Sequence, residues 1–231
     1  MHYEKHTRGL GSYIKDIVYG ANDGIITTFA VVAGTIGASL DPTVILILGF
    51  SNLIADGFSM AASNFLGSRS ENQLFEEEEQ REYQEIETMP DRERQEIRQI
   101  FQSEGYDQND TENLVRLVSK NKKFWVDFMM RYELGLHQNG SRQELVASTL
   151  TFAAFVISGS LPLLPFLLFS SVADSLLVSI AATAIALFVV GALRVLLTKK
   201  NVVISGLEML TVGGIAAAVA YVIGYLVSRI I

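Results

Sequence analysis

Five apolar runs govern what this chain can fold into. From about Ile17 to Leu40 only Asn22 and Asp23 interrupt a stretch of apolar and small residues. From Thr43 to Leu66 the marked interruptions are Asn52, Asp56 and Asn64, with Met60 in the same four-residue register. Three more runs follow, at roughly 145 to 170, 172 to 197 and 202 to 228. Each exceeds the ~20 residues that a helix needs to cross the hydrocarbon core of a bilayer. The expectation is an all-α membrane protein with five transmembrane helices. The first run is longer than the apolar region of a secretion signal, contains Asp23 and has no A-x-A cleavage site, so it is expected to stay in the protein.

Charge divides the chain in the same way. Between Arg69 and Glu144 lie 18 acidic and 11 basic residues, whereas the rest holds 7 of each, so the formal charge of -7 belongs to one insertion between helices 2 and 3. The expected organisation is therefore residues 1–69 (N-terminal segment and helices 1 and 2), 70–144 (an acidic helical domain) and 145–231 (helices 3 to 5). Such acidity excludes a nucleic-acid partner, which would need a basic face. The absence of cysteine removes disulfides, thiolate metal sites and thiol chemistry.

Lysine and arginine at the helix ends set the orientation. Lys5, Arg8 and Lys15 precede helix 1, the basic residues of the insertion follow helix 2, and Arg194, Lys199 and Lys200 mark the turn between helices 4 and 5. The turns ASLDPT (38 to 43) and SSVADS (170 to 175) have none. By the positive-inside rule the N-terminus and the acidic domain are cytoplasmic and the C-terminus is outside.

The insertion reads as three helices, about 70 to 87, 90 to 103 and 107 to 136. Pro90 suits a first helical turn and disfavours helix at Met89. Gly105 suits a left-handed residue after a helix, and Asp107 to Asp110 offer N-caps. Glu82 and Glu85 are three apart on the first helix, as are Glu93 and Glu96 on the second, and residues so spaced share a face. Four converging carboxylates would repel one another unless a divalent cation joined them. Met129 and Glu133, four apart on the third helix, could close such a site. The competing reading is a solvated acidic face, with Glu77–Arg81 and Arg92–Glu96 as ordinary surface pairs worth a few tenths of a kcal/mol. Glu76 to Glu79 fit that face better than a ligand set.

Polar groups also lie within the apolar runs. Asp23 falls about six residues, or roughly 9 Å, inside helix 1. Met60 comes to the same depth on helix 2, and Glu208 to a comparable level on helix 5. Asp56, Met60 and Asn64, with Ser59 and Ser63 alongside, make a polar stripe that must face protein or water. Each intramembrane carboxylate costs about 2.5 to 3.5 kcal/mol, so a proton, a cation or a hydrogen-bond network has to offset it. Helix-joining by Asn and Ser, Met as filler and a protonated Asp form the alternative account. Small residues (Gly20, Gly24, Gly34, Gly213, Gly214) permit close helix contacts, including contacts across a dimer. Carboxylate with thioether suits a partly soft divalent ion such as Fe²⁺ or Mn²⁺ better than Mg²⁺ or Ca²⁺.

YGANDGIITTFAVVAG in helix 1, ADGFSMAASNF in helix 2 and an acidic insertion ending in MMRYELGL resemble the vacuolar iron transporter family over nearly the whole chain. The resemblance implies a homodimer of five-helix protomers that moves Fe²⁺, and often Mn²⁺ or other divalent ions, out of the cytoplasm against protons. By motif, Asp23 and Met60 are then the ion-path residues, and Glu82, Glu85, Glu93, Glu96, Met129 and Glu133 the metal-binding residues of the insertion. One departure stands out: many members have Glu after SMA (SMAxGE), where this chain has Asn64, and Asp56 is a candidate substitute.

The expected function is a dimeric divalent-metal exporter, not an enzyme. The metal is its substrate, no prosthetic group is needed, and a prokaryotic plasma membrane is its setting. A membrane-anchored di-iron ferroxidase is a second reading, although His2, His6 and His137 provide no Glu-x-x-His motif. A tethered metal sensor or storage protein is a third.

Overall fold

The computed structural model describes residues 13–137, 141–195 and 201–230, the side chains of 141–143 excepted. His2, His6, Lys5, Arg8, Lys199 and Lys200 lie outside the described residues. Those described contain helices and turns and no strand. The helices are α1 (Ile14–Gly37), α2 (Pro42–Thr88), α3 (Pro90–Ser103), α4 (Gln108–Val118), α5 (Lys122–Tyr132), α6 (Ser141–Ser160), α7 (Leu164–Leu168), α8 (Val172–Leu193) and α9 (Val202–Val227). They fall into two compact units, one within Met1–Phe65 and Leu145–Ile231, the other Leu66–Glu144.

The first unit is built for lipid. α1, the start of α2, α8 and α9 are each long and apolar enough to cross a membrane. Phe58, Ile157, Leu177, Ile185 and Ile215 are all at least 65 % exposed, which suits acyl chains and not water. Inside, Val18, Ala21 and Ile25 of α1 pack on Ala186, Leu187 and Val190 of α8. Val32, Ile45, Leu53, Phe155, Leu163 and Phe166 form a second cluster. α1 and α6 meet at glycines: a Cβ on Gly24 would lie 2.4 Å from the Phe155 carbonyl oxygen, and one on Gly159 would lie 2.6 Å from that of Gly24. Only residues without side chains allow backbones so close.

The apolar run at 145 to 170 differs from expectation. Its helix stops at Ser160, a turn follows, and α7 adds five residues, so its apolar helical part, Glu144–Ser160, is shorter than the other spans. Pro162 and Pro165 are the cause, since neither can donate to a continuing helix. The Pro162 carbonyl freed by the turn is used, since Ser179 donates to it at 2.7 Å, and the Pro165 carbonyl accepts from Phe169 N at 3.0 Å. Buried irregular backbone is tolerated in a membrane only when protein satisfies it in this way.

The second unit corrects two expectations. The first insertion helix is no separate element but the continuation of α2, whose 47 residues span ~70 Å. Nothing between Leu66 and Arg81 breaks a helix, whereas Pro90 does, as expected. The third insertion helix is two. α4 ends at Val118, where the Ser119 hydroxyl bonds to Val115 O, and the Asn121 side chain accepts from Phe124 N at 3.1 Å to start α5. The break turns Trp125, Val126, Phe128, Met129 and Met130 into a core with Phe75, Ile86, Ile97, Val115 and Val118. Gly105 adopts φ 91 after α3, and Asp107 caps α4 by accepting from Asp110 N at 2.8 Å.

Candidate metal centre and membrane cavity

The α2–α3 turn brings the two carboxylate pairs together. Met89 leaves helical geometry before Pro90, so the last turns of α2, with Glu82 and Glu85, lie against the first turns of α3, with Glu93 and Glu96. Glu82, Glu85 and Glu93 each place a carboxylate oxygen within 4.8 Å of the others. Glu82 is 4 % exposed and Glu93 0 %. One oxygen of Glu82 and both of Glu93 are buried without a hydrogen-bond partner among the described residues. Such groups are costly in a folded protein and demand a partner.

The electrostatics reflect this crowding. Burial first, and then the charges of Glu133, Glu93, Glu85 and Glu96, push the Glu82 carboxyl up to about 8. Burial, followed by Glu96, Glu85 and Glu133, pushes Glu93 to about 7. Glu133 is also raised, by burial and then by Glu96 and Glu85, against the pull of Arg92. Five carboxylates therefore share one field, and Arg92, whose charge opposes it at Glu133, donates to Glu96 at 3.1 Å. Met129 is fully buried in the core of the same unit, and Glu133 follows α5, its N–H bonded to Met129 O at 2.9 Å. In the acidic run Arg81 pairs with Glu78 and not with Glu77.

In the membrane unit, Asp23 of α1 and Met60, Ser63 and Asn64 of α2 line a cavity of about 700 Å³. Asp16, Lys15 and Tyr19 of α1 and Thr151 of α6 complete its wall. Asn64 donates to Asp16 Oδ1 at 3.2 Å and to Thr151 Oγ1 at 3.0 Å. Asp56 stands off this wall and accepts from Asn52 at 2.6 Å, yet it is close enough to Asp23 for their charges to interact. Glu208 does not line the cavity. It is exposed on α9 and accepts from Arg194 at 3.2 Å, because equal depth on a helix fixes level and not direction. Asp16 and Thr151 escaped the sequence reading. The signal for Asp16 was present, since it lies seven residues before Asp23 and so on the same face of α1.

Several bilayer-length helices, an open pocket with carboxylate, carboxamide and thioether side chains on its wall, and an acidic helical unit with buried carboxylates unpartnered among the described residues define a polytopic membrane protein fitted to handle cations. The model of the VIT family matches residues 14–225, and the chain belongs to that family. It is 32% identical to vacuolar iron transporter 1 of Arabidopsis thaliana over 99% of this chain and 91% of that protein. It is 33% identical to the vacuolar iron transporter of Toxoplasma gondii, over 100% of this chain and 79% of that protein. Against the vacuolar iron transporter of Plasmodium falciparum it is 33% identical, over 91% and 81% of the two chains.

Proposed function

We propose that this protein exports divalent transition-metal ions, Fe²⁺ foremost and Mn²⁺ second, from the cytoplasm in exchange for protons. Glu93 carries the reading: a fully buried carboxylate with neither oxygen accepting a hydrogen bond among the described residues, and with an oxygen within 4.8 Å of those of Glu82 and Glu85. A divalent ion supplies the charge and coordination that these groups lack. Glu96, Met129 and Glu133 would complete the ligand set, the thioether favouring a partly soft ion. Within the membrane Asp23 and Met60 offer the same donor pair on one cavity wall, with Asp56 as a nearby second charge. Relatives named as iron transporters support transport over catalysis.

The working assembly is a homodimer of five-span protomers, with α6 and α7 together forming the fifth span. It sits in a prokaryotic plasma membrane with its N-terminus and acidic unit in the cytoplasm. The acidic unit collects the ion, and protonation of intramembrane carboxylates on the far side releases it. Uptake of Fe²⁺ into proteoliposomes, with and without a pH gradient, tests the reading. Uptake that a gradient accelerates and Asp23→Ala abolishes is the expected result; no uptake by the unaltered protein overturns it.

A further inference from the structure

Asn64 stands where many members of the family have a carboxylate, and the structure shows what the carboxamide does there. Both of its N–H bonds are engaged, one with Asp16 Oδ1 at 3.2 Å and one with Thr151 Oγ1 at 3.0 Å. The Thr151 hydroxyl gives its own proton to the Ala147 carbonyl at 2.9 Å, so toward Asn64 its oxygen only accepts. That fixes the amide with nitrogen, not oxygen, toward Asp16. Thr151 is 1 % exposed, so the anchor is buried, and the three residues tie α1, α2 and α6 together at the cavity wall. The acidic and basic side chains on that wall are Asp16, Asp23 and Lys15, with Asp56 standing off it near Asp23. Glu at position 64 would add a further carboxylate and, once ionised, would face Asp16 with no proton to give.

We propose that Asn64 sets the number and aim of the carboxylates that a passing divalent ion meets: it positions Asp16 as an ion-facing carboxylate, two turns from Asp23, and adds no charge of its own. The proposal rests on the metal-transport reading and deepens it. A further carboxylate at position 64 would bind the ion more tightly in a low-dielectric site, hold it longer and compete for protons, whereas the carboxamide leaves it free to pass on.

The test is initial-rate Fe²⁺ uptake by the full chain in proteoliposomes, with KM, maximal rate and pH profile measured for each variant. Asn64→Leu and Asp16→Asn should each raise KM about tenfold, the effect of one charge-assisted hydrogen bond or one ligand lost, with a smaller change in maximal rate. Thr151→Val should follow Asn64→Leu, while Thr151→Ser, which keeps the hydroxyl, should match the unaltered protein and so separate the bond from simple packing. Asn64→Glu should lower KM and maximal rate together and move the acid limb of the pH profile upward. If the unaltered protein moves no metal, the transport reading fails and this inference with it. If it transports, but Asn64→Leu and Asp16→Asn keep its KM, or Asn64→Glu leaves KM and pH profile unchanged, this inference alone is overturned.

Discussion

Glu93, in the first turn of α3, faces Glu82, near the end of α2, with carboxylate oxygens within 4.8 Å and almost no access to water. Two such groups cannot both ionise cheaply, and a divalent ion that bridges them removes both the repulsion and the unpartnered oxygens. Glu93→Gln keeps the shape and removes the charge. It is expected to weaken Fe²⁺ or Mn²⁺ binding by at least about tenfold, the loss of one charged ligand interaction. The chain has a single tryptophan, Trp125, buried one turn before Met129, so quenching of its fluorescence during titration reads the affinity directly. Equal affinities for Glu93→Gln and the unaltered protein would remove Glu93 from the site.

The same crowding fixes a pH dependence. Glu82 is raised to about 8 and Glu93 to about 7, both above their ordinary value of 4.5. A carboxyl whose folded value is raised binds more protons folded than unfolded, so stability falls as pH climbs through the window. Without metal, the acidic unit should therefore lose stability from about pH 4.5 to pH 8 and change little from these groups beyond it. Metal must displace those protons, so affinity should rise with pH over the upper part of the same window. Thermal melts at pH 5, 6.5 and 8, with chelator and with Mn²⁺, check both signs; a metal-free protein that is most stable at pH 8 would contradict them.

Met129 has two separable duties, filling the core and offering sulfur. Met129→Leu conserves volume, so folding stability should change by less than about 1.5 kcal/mol. The thioether is lost, and softer ions gain more from it than harder ones. Fe²⁺ affinity should fall while Mg²⁺ affinity, weak at the outset, stays put. A parallel titration of both ions in the Met129→Leu protein reads the difference, and an unchanged ratio would leave Met129 with packing alone.

Helices long enough for lipid and the Pro90 break were legible because each rests on one local rule, hydrophobic length in one case and a missing N–H in the other. The three-residue spacing of Glu82–Glu85 and Glu93–Glu96 was legible for the same reason, and the tight turn did the rest. Tertiary choices were not. Pro162 and Pro165 carried the signal that the run at 145 to 170 is no continuous helix, but hydropathy averages over a turn whose Pro162 carbonyl is satisfied by Ser179 from another helix. Asn121 falls within the expected third helix, and nothing local distinguishes it from any exposed polar residue there, although its side chain caps a new helix. Glu208 lies off the pocket beside Arg194, since sequence gives height along an isolated helix but not the direction in which its neighbours lie.

Packing of α1 against α6 sets the cavity, because Asp16 and Asp23 stand on one and Thr151 on the other. Their contact leaves no room at Gly24, where a methyl would sit 2.4 Å from Phe155 O and 3.0 Å from the Phe155 carbonyl carbon. Those are backbone atoms, so no rotamer change relieves the clash and the helices must part. Gly24→Ala is expected to lower stability by about 1 to 3 kcal/mol, the usual cost of overpacking, and to slow transport by moving Thr151 away from Asn64. Gly214→Ala is the matched control, because nothing lies within 4 Å of its added methyl. Surface changes of that kind stay within about 0.5 kcal/mol. Melting midpoints of the two variants in the same detergent decide the matter: a Gly24→Ala protein as stable as Gly214→Ala would mean that the backbones of α1 and α6 do not meet there.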